Sequence, residues 1–179
     1  MSVLVVLYKK TSLPITMVLI TIGILVLGIV KVVINLIVLI MYRVGNQTKQ
    51  DNFLGVGGSW NLYDEKYPDA EILASGVLVG YMIYTIVSVI NTLLADEEFK
   101  TSFTDILMKV VGVFLWFAVA GTAIHYWKSY SNDNKALEGN EKQIGLAMGS
   151  LCVINGVVYF GDAALSILFF FNTKMGSTA

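Results

Sequence analysis

Cysteine and histidine are almost absent from this sequence of 179 residues, which contains one of each. A single cysteine, Cys152, cannot form an internal disulfide, and it lies in an apolar run, where it behaves as a small hydrophobic residue. With His125 as the only histidine, a metal site or catalytic cluster built from several histidines is excluded. We therefore expect no metal, no cofactor and no catalytic residue, and loops that hold their shape without disulfides.

Charge is also scarce. Charged residues make up 14% of the chain, whereas soluble domains usually carry about 25%. The formal net charge of -1 provides no basic face for nucleic acid, so nucleic-acid partners are excluded. The remainder is 56% hydrophobic, with a mean hydropathy of +0.71. This composition is typical of an integral membrane protein whose main partner is lipid.

Glycines are concentrated in the stretch FLGVGGSWNLY, residues 53–63. A dinucleotide-binding fingerprint requires a third glycine where this chain has Trp60. A phosphate-binding P-loop would require a Gly-Lys-Ser or Gly-Lys-Thr continuation, which does not follow. The stretch is better explained as a tight loop at a membrane surface.

Four segments are long and apolar enough to cross a bilayer, which takes about 20 residues in a helix. They are residues 18–41, 72–95, 106–127 and 144–171, joined by loops 42–71, 96–105 and 128–143. Short connections favour antiparallel neighbours. The sequence therefore predicts one all-α membrane domain over residues 1–179, an antiparallel four-helix bundle with both termini on the same side.

Orientation cannot be decided from basic residues, because the ends of the spans carry five on the side of the termini and six on the other side. The first group includes Lys109. Lys9 and Lys10 imitate the start of a secretory signal, but the apolar run continues to Met41 without a cleavage site, which indicates a retained signal anchor. The Asn46 sequon could be glycosylated only if its loop faces the secretory lumen.

Lys31 and Asp162 lie well inside their apolar segments. Each costs roughly 2.5 to 3.5 kcal/mol at mid-membrane on insertion scales, so both should face the bundle rather than lipid. At 1.5 Å per residue they lie about 20 Å and about 14 Å from the same side, a gap that a lysine stem can span. We expect a buried ion pair, either as part of an ion or proton pathway or as mutual neutralisation supported by Asn35 and Asn155.

Two small-xxx-small motifs permit close backbone approach between helices. Gly76 and Gly80 form one motif on the second span, and Gly145 and Gly149 form the other on the fourth. Each can pack against a helix of a partner, including a second copy, or against another helix of the same bundle. The sequence alone favours neither.

Several segments together resemble the Snakeskin family, four-span membrane proteins of arthropod smooth septate junctions. The resemblance covers residues 31–162 and rests on the segments INLIVLIMYRVG, FLGVGGSWNL, DAEILASGVLVGYMIYT, AGTAIHYWKSY and IGLAMGSLCVINGVVY. It implies a structural role in the occluding junctions of gut and renal tubule epithelium, at the apicolateral plasma membrane, with cytoplasmic termini. It also implies two partners, the large single-span protein Mesh and a tetraspanin.

Phe53, Leu54 and Trp60 would then lie in an extracellular loop, where they could contact a neighbouring protein or anchor the loop among lipid headgroups. The C-terminal Ser177-Thr178-Ala179 is a weak match to peptides that bind PDZ domains. Two other functions stay open at this stage. One is a small channel or transporter that uses Lys31 and Asp162, and the other is a MARVEL-type vesicle-trafficking protein.

Overall fold

The described part of the chain forms four long α-helices. The computed structural model describes residues 15–44, 68–94, 102–133 and 139–176. The helices are α1 (Ile15–Val44), α2 (Pro68–Leu94), α3 (Phe103–Asp133) and α4 (Gly139–Gly176). Each includes a segment long and apolar enough to cross a membrane, namely Ile15–Tyr42, Ile72–Leu94, Phe103–His125 and Gln143–Thr173. The prediction of an all-helical protein with four such helices is confirmed.

Local sequence signals account for two of the helix starts. Proline is the first residue of α2, where its missing N–H would have no helical partner in any case. Ser102 precedes α3 and caps it, because the backbone N–H of Asp105 donates to Ser102 Oγ at 3.2 Å. The carboxylate of Asp105 stands in the first turn, where it complements the helix dipole.

Buried positions in α1 and α4 follow a repeat of alternating four- and three-residue steps. In α1 they are Met17, Thr21, Ile24, Gly28, Lys31, Asn35, Val38 and Tyr42. In α4 the repeat runs through Gly145, Met148, Cys152, Asn155, Tyr159, Asp162, Ser166 and Phe169, with Gly149, Gly156 and Ala163 buried beside it. This spacing keeps one stripe of a helix against its neighbours over many turns, as in coiled coils. It also places Lys31 and Asp162 on the inward stripes.

The polarity of this bundle is the reverse of that of a soluble protein. Its outer faces carry large apolar side chains such as Ile83, Phe114 and Phe160, whereas Lys31, Lys109 and Asp162 are among its buried residues. Charged side chains are almost never fully buried in soluble proteins unless paired. Hydrocarbon is the solvent that suits such a surface.

The four helices close into a ring in which each contacts the two next to it. The α3–α4 contact is the most extensive, followed by α1–α4 and α1–α2, and the α2–α3 seam is the weakest. One large apolar cluster joins all four helices, with Val38 from α1, Leu78 from α2, Val119 from α3 and Met148 from α4. A smaller cluster of Met17, Ile24 and Phe169 joins α1 to α4.

Candidate functional site

A network of four charged side chains lies between the helices. Lys31 on α1 donates a hydrogen bond to Asp162 Oδ2 on α4, and both side chains are 1% exposed. The Nζ atom of Lys109 on α3 lies 3.4 Å from the other oxygen of Asp162, Oδ1. It also lies 2.8 Å from Oδ2 of Asp105, one turn earlier on the same helix. The network therefore contains two ammonium groups and two carboxylates, and its net charge is zero.

Lys109 contacts three side chains, one through a hydrogen bond and two through ion pairs. It donates to Ser166 Oγ on α4 at 2.7 Å, in addition to its contacts with the two carboxylates. An ammonium group has three donors and no acceptor. Lys109 uses them in one hydrogen bond, to Ser166, and in ion-pair contacts with Asp105 Oδ2 and Asp162 Oδ1, which accept no hydrogen bond among the described residues. Because each buried charge has a partner, the network avoids the several kcal/mol that an unpaired buried charge would cost.

Asp105 connects the network to α2 across the weak α2–α3 seam. Its Oδ1 atom accepts hydrogen bonds from Tyr84 Oη at 2.7 Å and from Ser88 Oγ at 3.1 Å. One turn away, Tyr81 Oη donates to the backbone carbonyl of Met108 at 3.1 Å. Long polar side chains of α2 thus bridge a seam in which the two backbones make few contacts.

Tyr159 on α4 lies between the charges and the apolar cluster. Its ring centroid is 4.4 Å from Lys31 Nζ, a cation–π contact. Its hydroxyl is hydrogen-bonded to Thr85 on α2. The ring also packs edge-on against Tyr81 and stacks with Trp116, at centroid distances of 5.4 Å and 6.2 Å. One side chain therefore contacts all three of the other helices.

The absence of a side chain at Gly112 makes this aromatic packing possible. A Cβ atom at Gly112 would lie 2.7 Å from Tyr81 Cε1 and 2.9 Å from Tyr159 Cδ1. These separations are too short for carbon atoms in contact. Any larger residue at position 112 would therefore displace one of the two tyrosines.

Two asparagines near the network differ in how well they are satisfied. Asn35 Nδ2 on α1 donates to the backbone carbonyl of Leu78 on α2 at 3.2 Å. Asn155 on α4 is fully buried, and neither of its amide atoms has a hydrogen-bond partner among the described residues. A buried amide in this state costs about 1 to 3 kcal/mol.

The two glycine motifs have opposite environments. Gly145 and Gly149 are buried, and a Cβ atom at Gly149 would lie 2.7 Å from Ile124 Cγ1 on α3, so this motif packs inside the bundle. Gly76 and Gly80 are exposed on α2, with nothing within 4 Å of a Cβ atom at either position. The predicted contact residues Phe53, Leu54 and Trp60 lie outside the described residues, as does Asn46.

Sequence reasoning brings Lys31 and Asp162 together, as the structure does, but it misses the other half of the network. It counts Lys109 with the charges at the membrane surface, whereas the side chain is 1% exposed and faces the bundle. The available signal was the four-residue spacing of Asp105 and Lys109, which places opposite charges on one helix face. That face continues with Gly112 and Trp116, which are also buried.

Two curated proteins are similar to the chain over most of its length. The silkworm Bombyx mori protein named Protein snakeskin is 50% identical over 151 residues, which cover 84% of this chain and 94% of the relative. The Drosophila melanogaster protein of the same name is 45% identical over 149 residues, which cover 83% and 90%. No protein-family profile matches the chain, and no solved structure matches it.

Proposed function

This chain belongs to the Snakeskin family, and from that premise we propose that it is a structural component of smooth septate junctions. In this role it would support junction assembly and the paracellular barrier in epithelia such as gut and renal tubule, and it would perform no reaction. Family membership, with 45% to 50% identity over more than four fifths of the chain, carries the proposal.

The proposed architecture is an antiparallel bundle with both termini in the cytoplasm. Contacts between α1 and α4 support it, because residue numbers rise on one helix as they fall on the other. Leu165 packs beside Gly23, and Asp162 binds Lys31. Ile24 belongs to the same buried cluster as Phe169. Contacts between α1 and α2 also run in opposite directions along the chain. Val89 packs beside Gly28, and the backbone carbonyl of Leu78 accepts a hydrogen bond from Asn35.

The charge network favours a scaffold over an ion pathway. Lys31, Lys109, Asp105 and Asp162 neutralise one another, so the network has no excess charge to attract an ion. Beyond Tyr159, the core is filled by the large apolar cluster of Val38, Leu78, Trp116 and other residues. A conducting path would need polar groups or water through that layer.

Partner recognition is assigned to surfaces that the bundle does not use itself. The open face at Gly76 and Gly80 would accept a helix of the tetraspanin, of Mesh or of a second copy, since small residues allow close approach of helices in lipid. The loop with Phe53, Leu54 and Trp60 would contribute apolar contact area outside the cell. The C-terminal residues 177–179 would reach a cytoplasmic PDZ domain.

Immunolocalisation in a polarised gut epithelium tests the proposal. A lateral band near the apex, together with co-purification of Mesh and a tetraspanin, is the expected result. Uniform apical staining would favour a channel or transporter, and staining confined to vesicles would favour a trafficking role. Either pattern would contradict the junction role.

Loop contacts have their own test, with two variants. Trp60→Ala should reduce co-purification of the partners, whereas Trp127→Ala, outside that loop, should leave it unchanged. If both variants retain their partners fully, the loop only anchors the protein among headgroups.

A further inference from the structure

The four membrane segments differ in length in a way that divides the bundle into two halves. Those of α1 and α4 contain 28 and 31 residues, whereas those of α2 and α3 contain 23 residues each. At 1.5 Å per residue the long pair reaches about 42 and 46 Å and the short pair about 34 Å. A typical hydrocarbon core is about 30 Å thick. The short pair therefore fits an average bilayer and the long pair exceeds it.

Contacts between helices show that the extra length of α1 and α4 lies at the end of the bundle where α1 begins and α4 ends. Gly28 packs against Val89, and from this level α1 continues for thirteen residues to Ile15, whereas α2 ends five residues on, at Leu94. The difference of eight residues corresponds to about 12 Å.

The ends of α3 and α4 differ in the same direction. Gly112 lies against Tyr159, and from there α3 reaches its first residue, Phe103, after nine residues, whereas the apolar segment of α4 continues for fourteen, to Thr173. The difference of five residues is about 7 Å. The ends of α1 and α4 that project beyond α2 and α3, residues 15–22 and 169–173, are called the overhang below.

The outer surface of the overhang is mostly apolar and uncharged, with Thr16 and Asn172 as exposed polar residues. Ile15 and Leu19 are 80% and 63% exposed, and Ile22 and Phe171 are also exposed. The inner side is packed, since Met17, Ile24 and Phe169 form a buried cluster there. Residues 15–22 contain no charge, and the hydroxyl of Thr21 donates to the backbone carbonyl of Met17. Such a surface is stable in hydrocarbon and unfavourable in water.

Tilting does not remove the mismatch. A 42 Å segment fits a 30 Å core only at a tilt of about 45°, beyond the usual range of about 0 to 40°. The Lys31–Asp162 pair fixes α1 against α4, and Tyr84 and Lys109 connect them to α2 and α3, so the helices would have to tilt together. Such a tilt would draw the polar start of α3 at Ser102 and Asp105 into the core.

We propose that the overhang is a lipid-recognition surface that selects a bilayer thicker than average along the α1–α4 side. Its partner is the long, ordered acyl chain of a thick membrane domain. The opposite side, formed by α2 and α3, suits a core of ordinary thickness. This asymmetry would orient each molecule at the border of a thick domain, with α1 and α4 on the thick side. The inference does not depend on the proposed junction role.

Reconstitution of the purified full chain tests this inference without any junction partner. The protein is placed in phosphatidylcholine vesicles with acyl chains of about 14, 18 and 22 carbons. Its thermal unfolding midpoint is then followed by circular dichroism. We expect the midpoint to be highest in the longest lipid and higher there than in 18-carbon lipid by about 5 °C. The double variant Ile15→Ser and Leu19→Ser should move the maximum to 18 carbons.

A matched control is available on the short pair. Leu93 and Leu94 are exposed at the equivalent end of α2, and Leu93→Ser with Leu94→Ser should leave the maximum in the longest lipid. A maximum at 18 carbons or fewer for the unmodified chain, unaffected by Ile15→Ser and Leu19→Ser, would overturn the proposal. So would copies that cross-link through cysteines at positions 15 and 19 in every lipid, since protein would then cover the overhang.

Discussion

Lys31 and Asp162 are separated by 131 residues in the chain, yet they are hydrogen-bonded inside the bundle. They lie on α1 and α4, the first and the last of the described helices, so their contact joins segments far apart in the chain. Asp162 also receives Lys109 on its second oxygen. A single carboxylate therefore holds three of the four helices at one level.

Removing the charge of Asp162 should destabilise the bundle strongly. Asp162→Asn leaves Lys31 without an ionised partner in a buried site, which costs about 3 to 5 kcal/mol. The double variant Lys31→Met with Asp162→Asn restores zero net charge, because Lys109 keeps Asp105. We expect it to recover most of the loss. The measurement is the thermal midpoint in detergent micelles, and a double variant no more stable than Asp162→Asn alone would contradict the energetic pairing of Lys31 with Asp162.

Lys109 should be as important for stability as Lys31, although it lies near the end of its apolar segment. Lys109→Met leaves the partly buried Asp105 and the buried Asp162 with one lysine between them, and we expect a loss of about 3 kcal/mol. Lys128→Met is the matched control on the same helix, since Lys128 is exposed, and it should change stability by less than about 0.5 kcal/mol. Equal effects of the two substitutions in a denaturation assay would show that Lys109 is not a buried partner.

Asn155→Leu should leave the protein as stable as before or stabilise it by about 1 kcal/mol. The buried amide has no hydrogen bond among the described residues, and leucine has a similar size without the cost of desolvation. Asn35→Leu is the contrasting change, because it removes the hydrogen bond to Leu78 and should cost about 1 kcal/mol. If thermal melts show Asn155→Leu to be the more damaging variant, Asn155 has a polar partner that this explanation omits.

Bulky residues in the two glycine motifs should separate folding from partner binding. Gly149→Leu would clash with Ile124 and should lower the thermal midpoint by several degrees, since overpacking costs about 1 to 3 kcal/mol. Gly76→Leu meets no neighbour in the bundle, so the isolated protein should keep its midpoint. It should nevertheless lose co-purifying partners and the lateral band in epithelium. Normal localisation of Gly76→Leu would remove α2 from the partner surface.

Hydropathy was sufficient to locate the helices, because about 20 apolar residues in a row have few alternatives to a membrane helix. It was also sufficient to place Lys31 and Asp162 at similar depth, since depth depends only on residue count. It could not place Lys109, whose environment depends on the rotation of α3 about its axis. The structure shows that rotation, because Lys109 donates to Ser166 on α4 and because Gly112 and Trp116 on the same face of α3 are buried.

The different environments of the two glycine motifs were also beyond the sequence. Gly-xxx-Gly permits close approach whichever helix provides the partner. Only the packing of α3 against α4 shows that Gly149 is used internally, and only the open surface of α2 shows that Gly76 is not.

The pairing of the first helix with the last has a consequence for biosynthesis. Ribosomes add about 5 to 20 residues per second, so about 7 to 26 s pass between the synthesis of Lys31 and that of the carboxylate it requires. Throughout that interval the nascent polypeptide carries an uncompensated ammonium group in its leading segment. An unfinished or truncated product would thus expose a mark by which the cell can distinguish it from a completed one.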